Sequence, residues 1–232
     1  MQTQELTASD HVFKLWSWIE DNLQRIAYVA GAIAILVFVY FYYSYSQKQK
    51  EVTAGQALSQ VLVSGSASQQ ADAYLKVATA YPGTIAGQRA LMEGAATFFT
   101  TGKFAEAQAQ FQKFLDTYPD GFFTPQALLG VAASLDAQGK TDLAVSAYQK
   151  AAGQGSNISV TASAKFAIAR IYDTQGKTAE AMKLYEEVAR AYPNSPVSNE
   201  AGLRAMELKL KSPATAAAKP APPAAAPFSL SK

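Results

Sequence analysis

The sequence predicts an all-α protein in which one N-terminal transmembrane helix is followed by a solenoid of helical hairpins and a C-terminal capping helix. Three observations predict this fold. Residues 26–47 carry no charged side chain over a length that crosses a bilayer. A pattern of glycines and small residues then recurs every 37 residues. Val and Ile cluster mainly before residue 64, so the rest of the chain is rich in helix-forming residues.

The composition is that of an ordinary folded protein, with 49% hydrophobic and 16% charged residues. Residues 51–211 contain 14 Lys or Arg and 14 Asp or Glu, so this part of the chain is electrically neutral. A neutral surface does not attract nucleic acid, and we expect no nucleic-acid partner. The chain has no cysteine, which excludes disulfides, thiol catalysis and cysteine-bound zinc.

The uncharged segment 26–47 predicts a transmembrane helix, because about 20 residues at about 1.5 Å each cross a hydrocarbon core. A cluster of tyrosines at its C-terminal end marks one headgroup interface. These are Tyr40, Tyr42, Tyr43 and Tyr45. A cleaved signal peptide fits less well, since the first 25 residues contain four acidic and two basic side chains and bulky tyrosines follow the apolar core. We therefore expect an anchor in the lipid bilayer.

Residues 1–25 predict an amphipathic segment in the membrane plane, because apolar side chains recur there at helical spacing. The apolar residues are Val12, Phe13, Leu15, Trp16, Ile19 and Leu23. Lys14 and Arg25 precede the span and Lys48 and Lys50 follow it, so the positive-inside rule gives a tie and predicts no orientation. The small residues of Ala30-Gly31-Ala32 offer a face for self-association, which makes a homo-oligomer one expectation.

The 37-residue repeat predicts helical hairpins. Gly102, Gly139 and Gly176 are each followed by Lys, and Gly tolerates the left-handed conformation that ends a helix. Each Gly-Lys pair therefore predicts a tight turn between two helices. Residues that keep the same register predict close helix packing through small side chains, with aromatic rings beside them. The repeated small residues are Ala90, Ala127, Ala164 and Ala201, then Ala95, Ala132 and Ala169, then Ala107, Ala144 and Ala181, and the aromatic ones are Phe111, Tyr148 and Tyr185.

Tyr-Pro pairs at 81–82, 118–119 and 192–193 predict the ends of the second helices, because Pro disfavours a helical residue before it and donates no backbone hydrogen bond. The resulting map is helices 50–63 and 68–80, hairpins 84–117, 121–152 and 158–191, and a solitary helix 196–211. The first pair lacks the Gly-Lys turn and is degenerate. The solitary helix predicts a cap whose exposed side carries Glu200, Arg204, Glu207, Lys209 and Lys211.

Four segments follow from these patterns. Residues 1–25 form the amphipathic segment, residues 26–47 the transmembrane helix and residues 48–211 the repeat domain. In residues 212–232, Pro and Ala supply 13 of 21 residues, which predicts a disordered tail.

The order of a small residue, an aromatic residue, a Gly turn, Ala, an aromatic residue and a terminal Pro resembles the tetratricopeptide repeat. The resemblance covers residues 84–193 well and 50–82 weakly, and the unit is three residues longer than the commonest 34-residue form. With the N-terminal anchor and the chain length, the architecture is similar to the YfgM-like ancillary subunits of the SecYEG translocon. That resemblance implies a bacterial inner-membrane protein with a cytoplasmic N-terminus and periplasmic repeats, whose partners are translocon subunits and periplasmic chaperones.

In tetratricopeptide arrays the first helix of each hairpin lines a concave groove, so the resemblance implies a protein-binding groove. Its residues here are Arg89, Met92, Phe99, Gln126, Leu129, Asp136, Phe166, Arg170 and Asp173. Met92, Leu129 and Phe166 repeat at 37 residues and form an apolar row. The alternative is that this row packs internally, because an apolar row on a helix is more often core than ligand site.

We predict no enzyme, no cofactor and no metal site, since the only histidine, His11, precedes the membrane segment and the chain lacks cysteine. The predicted function is a membrane-anchored protein-protein interaction module, an ancillary translocon subunit that links protein secretion to periplasmic chaperones. The alternatives are a tetratricopeptide scaffold for cell-envelope assembly or cell-division machinery, with envelope proteins as partners, and a regulatory tether that holds another protein inactive.

Overall fold

The computed structural model describes residues 5–61, 67–155 and 157–211, and within these ranges the chain forms ten helices and no β-strand. The helices are α1 (Glu5–Asp21), α2 (Leu23–Val61), α3 (Ala67–Ala80), α4 (Ile85–Thr100), α5 (Phe104–Thr117), α6 (Thr124–Ala137), α7 (Thr141–Gly153), α8 (Ile158–Thr174), α9 (Thr178–Ala191) and α10 (Ser198–Lys211). The chain divides into two compact units, Met1–Gly55 and Gln56–Lys232. The predicted tail, residues 212–232, lies outside the described residues. The all-α prediction is confirmed.

Helix α2 is long and apolar enough to span a membrane. Its most apolar 18-residue window has a mean hydropathy of 2.1, and none of that window is buried by protein. The predicted start of a separate helix at residue 50 is wrong, because α2 continues without a break to Val61. The physical reason is local: the stretch after Gln47 contains no Pro, and Gln, Lys, Glu and Ala are good helix formers.

The three Gly-Lys turns form as predicted. Gly102, Gly139 and Gly176 have φ angles of +79°, +74° and +73°, in the left-handed region. In each turn the backbone N–H of the Lys donates to the carbonyl five residues earlier, as Lys140 does to Leu135 at 3.0 Å. This is the hydrogen bond of a Schellman motif, which satisfies a carbonyl at the helix end. Two helices can therefore follow each other within three residues.

The repeated alanines are buried completely. All ten that keep the 37-residue register have no exposed surface, and Phe111, Tyr148 and Tyr185 beside them are exposed by 6%, 4% and 1%. Because a methyl group occupies little space, the helix backbones approach closely and the rings fill what remains. The core consists of successive apolar clusters between neighbouring helices, as expected for a stacked array.

The Tyr-Pro connections also link one hairpin to the next. Tyr118 ends α5, and its hydroxyl accepts a hydrogen bond from the N–H of Gly83 at 3.2 Å, in the preceding connection. At the start of the following helices, Thr84 and Asn157 act as N-caps whose side-chain oxygens accept hydrogen bonds from Gly87 and Val160. The connections between hairpins are thus held by backbone hydrogen bonds as well as by apolar packing.

The capping helix α10 is only partly polar on its exposed side. The five predicted charged residues are exposed, but Leu203, Met206 and Leu210 are exposed with them, by 70%, 62% and 61%. The pattern of charged residues in the sequence did not predict that these three apolar side chains would be exposed.

We expect Gly139→Ala to lower the free energy of unfolding by about 1–2 kcal/mol, the cost of a side chain at positive φ. A Cβ there would meet no atom within 4 Å, so the effect comes from the backbone alone. Gly153→Ala, at the end of α7 and equally open, is the control and should be neutral or slightly stabilising. Denaturation of the full chain in detergent, followed by circular dichroism, measures both, and equal effects would contradict the turn's role.

Candidate protein-binding groove

The first helices of successive hairpins lie side by side. In addition to its hairpin partner, α6 contacts α4 on one side and α8 on the other. The three helices therefore present one continuous face, and between α4 and α6 this face opens into a cavity of about 530 Å³. Its lining residues are Arg89, Met92, Glu93, Ala96, Phe99 and Thr100 from α4, Phe111 from α5, and Phe123, Gln126, Leu129, Gly130 and Ala133 from α6 and its N-cap.

The floor of the cavity depends on one close approach between a ring and a backbone. A Cβ atom on Gly130 would lie 2.7 Å from three carbons of the Phe111 ring, which is too close for any side chain. Glycine at this position thus lets the α5 ring lie directly against the backbone of α6. The rings of Phe99 and Phe104 pack edge to face at 5.3 Å beside it, so the inner wall is apolar.

The polar groups of the cavity are few. Arg89 and Glu93 form an exposed ion pair at the rim, with 3.6 Å between Nε and Oε1, so the rim has no net charge. Deeper inside, the side-chain oxygen Oε1 of Gln126 is buried and accepts no hydrogen bond from the described protein. A buried acceptor of this kind costs free energy until a donor reaches it. The cavity therefore offers an apolar space with one unsatisfied acceptor.

Five of the nine predicted groove residues line this cavity together. They are Arg89, Met92, Phe99, Gln126 and Leu129. The other four do not line this cavity and lie further along the array, with Asp136 on α6 and Phe166, Arg170 and Asp173 on α8.

Asp136 and Arg170 bind each other instead of facing an open groove. Their carboxylate and guanidinium form an ion pair that joins α6 to α8, and the Asp136 side chain is only 19% exposed. The phenol of Tyr148 on α7 lies close to the same carboxylate. Burial first, and then the negative charge of Asp136, raise the pKa of the Tyr148 phenol above its ordinary value. These three side chains tie three helices together.

Phe166 and Asp173 lie beside the next buried tyrosine. The Phe166 ring packs on the Tyr185 ring with 5.4 Å between centroids. Burial, followed by the charge of Asp173, raises the pKa of Tyr185. Met92, Leu129 and Phe166 are all half-buried and pack against three successive core clusters, so the apolar row contributes to the core on one side and to the open face on the other.

Sequence reasoning missed seven lining residues, which are Glu93, Ala96, Thr100, Phe111, Phe123, Gly130 and Ala133. Ala96 and Ala133 carry a usable signal, since they recur at 37 residues next to the buried row of Ala95 and Ala132. Gly130 is detectable as a departure from the repeat, because its equivalents Glu93 and Ala167 both have side chains. Phe123 comes from a connection between hairpins, where no periodicity predicts the direction of a side chain.

A family model for a tetratricopeptide repeat-like domain matches residues 16–145, which is more than half of the chain. The chain belongs to this family. A second model, for the tetratricopeptide repeat, matches residues 132–196 and extends the assignment through the third hairpin. Repeats of this family are protein-binding scaffolds, and the chain is accordingly a protein-protein interaction module. No curated protein matches the sequence.

Solved structures share this fold at low sequence identity. The TPR-like repeats of a candidate kinesin light chain from Podosopora anserina are 14% identical, with a TM-score of 0.50 over 69% of this chain and 84% of that one. A MamA double mutant, MamA RS-1 ArsTM, is also 14% identical, with a TM-score of 0.50 over 70% of this chain and 96% of the other. At this identity the likeness shows the fold alone. Among the residues that the structure describes, no group of three His, Cys, Asp or Glu side chains is placed to hold a metal.

We expect the stability of the repeat domain to fall as the pH rises above about 10, the ordinary tyrosine pKa. Tyr148 has a raised pKa in the folded protein, so the unfolded chain loses this proton first and binds fewer protons over that range. Tyr148→Phe should change the free energy of unfolding at neutral pH by no more than about 1 kcal/mol, because it removes only the phenol oxygen beside Asp136. It should also make the alkaline decline less steep, although Tyr185 still contributes.

Denaturant titrations of both proteins between neutral pH and pH 11 measure this difference. A decline of equal slope in Tyr148→Phe would mean that Tyr148 does not carry the alkaline sensitivity.

Proposed function

We propose that this chain is an ancillary translocon subunit of the bacterial inner membrane that links protein secretion to periplasmic chaperones. The observation that carries the proposal is the open apolar cavity between α4 and α6 in a repeat array that a potential membrane-spanning helix precedes. Binding a protein beside a membrane requires an anchor and an accessible groove. The chain combines both.

The cavity determines which chemistry a partner must have. Its volume of about 530 Å³ accommodates several side chains of a bound segment, and pockets of this size are ordinarily filled by apolar and aromatic groups. The neutral rim formed by Arg89 and Glu93 does not select a strongly charged peptide. A donor on the partner would satisfy the Gln126 oxygen, so a segment with large apolar side chains and an available N–H or hydroxyl fits best.

The anchoring proposal follows from the sequence segments. We propose that residues 26–47 cross the bilayer, that residues 1–25 lie along its cytoplasmic surface, and that the repeat domain, residues 48–211, lies in the periplasm. Exposed Trp16 and Trp18 on α1 support an interfacial location, because indole rings prefer the headgroup region. The six residues Arg89, Met92, Phe99, Gln126, Leu129 and Phe166 are the proposed groove contacts, whereas Asp136 and Arg170 position helices.

We expect a photo-cross-linking residue at Thr100, which lines the cavity and is exposed, to capture translocon subunits or periplasmic chaperones in intact bacteria. Filling the cavity with Ala96→Phe should reduce this capture at least about tenfold, which corresponds to about 1.4 kcal/mol of binding free energy. Mass spectrometry identifies the captured proteins and quantitative blotting measures the change.

The matched control is Ala152→Phe, which places the same ring in a different cavity of about 380 Å³ lined by α7, α8 and α9. Equal loss of capture in both variants would show that the groove is not the binding site. Capture of cell-division or envelope-assembly proteins without translocon subunits would replace the translocon proposal with the scaffold function.

A second experiment tests the orientation. Because the chain has no cysteine, Ser17→Cys and Lys113→Cys each create a single labelling site, and both positions are exposed. In spheroplasts, a membrane-impermeant maleimide should label Lys113→Cys directly and Ser17→Cys only after the membrane is permeabilised. The reverse pattern would place the repeats in the cytoplasm and exclude periplasmic chaperones as partners.

A further inference from the structure

Helix α10, the last that the structure describes, has two apolar sides, and the described residues cover only one of them. Ala201, Ala205 and Leu208 are buried against α9. On another side, Leu203, Met206 and Leu210 are exposed by 70%, 62% and 61%. At 3.6 residues per turn these three side chains lie within about 60° of one another around the helix axis. They form one strip, which we call the terminal strip.

The register of the repeat explains why this strip is uncovered. In the 37-residue register, Met206 occupies the position of Ala95, Ala132 and Ala169. Each of these alanines is completely buried, in a cluster that includes residues from the second helix of the same hairpin. No second helix follows α10 among the described residues. The sequence beyond it predicts none of similar length, because its prolines leave no Pro-free stretch longer than the six residues 214–219. The terminal strip is therefore the place where one more helix would continue the stack.

The strip is complementary to itself. Leu203 lies three residues before Met206 and Leu210 lies four residues after it. When two α10 helices pack antiparallel about a two-fold axis near Met206, each Leu203 meets Leu210 of the second copy and the two Met206 side chains meet each other. Isologous two-fold contacts of this kind are the commonest way in which identical chains associate.

The charges beside the strip fit the same arrangement. Glu200, Arg204, Glu207 and Lys211 follow one another along the neighbouring side of α10 with alternating sign. Within one helix they already form ion pairs, at 3.8 Å for Glu200 and Arg204 and 2.6 Å for Glu207 and Lys211. In the antiparallel pair each acid lies beside a base of the second copy: Glu200 beside Lys211, and Arg204 beside Glu207.

We propose that two copies of this chain associate through antiparallel α10 helices, with the terminal strip as the core of the contact. The partner is a second copy of this chain, because the apolar residues and the charges of α10 each match the same pattern running in the opposite direction. This dimer contact is separate from the groove between α4 and α6 and does not depend on the translocon function.

The test uses the full chain in isolated membranes, where its lack of cysteine makes an introduced thiol unique. Met206→Cys should form a disulfide-linked dimer on mild oxidation, at least about tenfold more than Leu143→Cys, because a held pair has a high effective concentration. Leu143 on α7 is the matched control, since it is a large apolar residue of similar exposure, 59% against 62%. Equal yields from the two variants would overturn the proposal.

Two further variants separate this contact from association through the membrane helix. Adding Leu203→Glu to the Met206→Cys chain should abolish the excess of disulfide-linked dimer. If the chains associate only through α2, the yield of this dimer would stay unchanged, which would contradict the proposal. Mixing Leu203→Cys chains with Leu210→Cys chains should give mainly the mixed dimer. Mainly like-with-like dimers would indicate a parallel pair and overturn the antiparallel arrangement. All substituted positions are exposed, and circular dichroism confirms folding of each variant.

Discussion

The left-handed glycine after each first helix is the constraint on which the repeat domain depends. At φ angles near +75°, Gly102, Gly139 and Gly176 end one helix and direct the chain into the next without a strained side chain. The hydrogen bond from the following Lys closes the turn. Because the connection is so short, the two helices must lie against each other, and only small side chains fit between them. The buried alanines are thus a consequence of the turn as much as a cause of the packing.

Close packing within each hairpin determines what is left at its surface. The first helices stand side by side, and the aromatic rings of the second helices reach between them. Gly130 stands where the other hairpins carry a side chain, so the Phe111 ring lies directly against the α6 backbone. An apolar cavity opens above this ring. Further along the same face, Asp136 and Arg170 join α6 to α8 beside Tyr148 of α7. The cavity therefore lies where Gly130 replaces the side chain that the other hairpins carry at this position.

The cavity between α4 and α6 and the terminal strip on α10 are both flanked by charges of both signs. Arg89 with Glu93 at the cavity rim and the alternating charges of α10 both sum to zero over short distances. Recognition by long-range electrostatic attraction is weak under these conditions, and contact depends on burial of apolar area. In the proposed arrangement, an anchor that confines the chain to a membrane raises the local concentration of its partners, which suits a module that binds through small apolar surfaces.

Apart from the helix start expected at residue 50, the sequence by itself determined the helices, the turns and the buried alanine and aromatic register. These depend on local properties of Gly, Pro and Ala, which recur every 37 residues. It also predicted five of the twelve residues that line the cavity, as members of the groove that the resemblance to tetratricopeptide arrays implies. Only the tertiary structure decided that Asp136 binds Arg170, that Phe123 enters the cavity, and that Leu203, Met206 and Leu210 remain uncovered. Those outcomes depend on how helices from different hairpins meet and on α10 being the last helix that the structure describes, and neither follows from the 37-residue period.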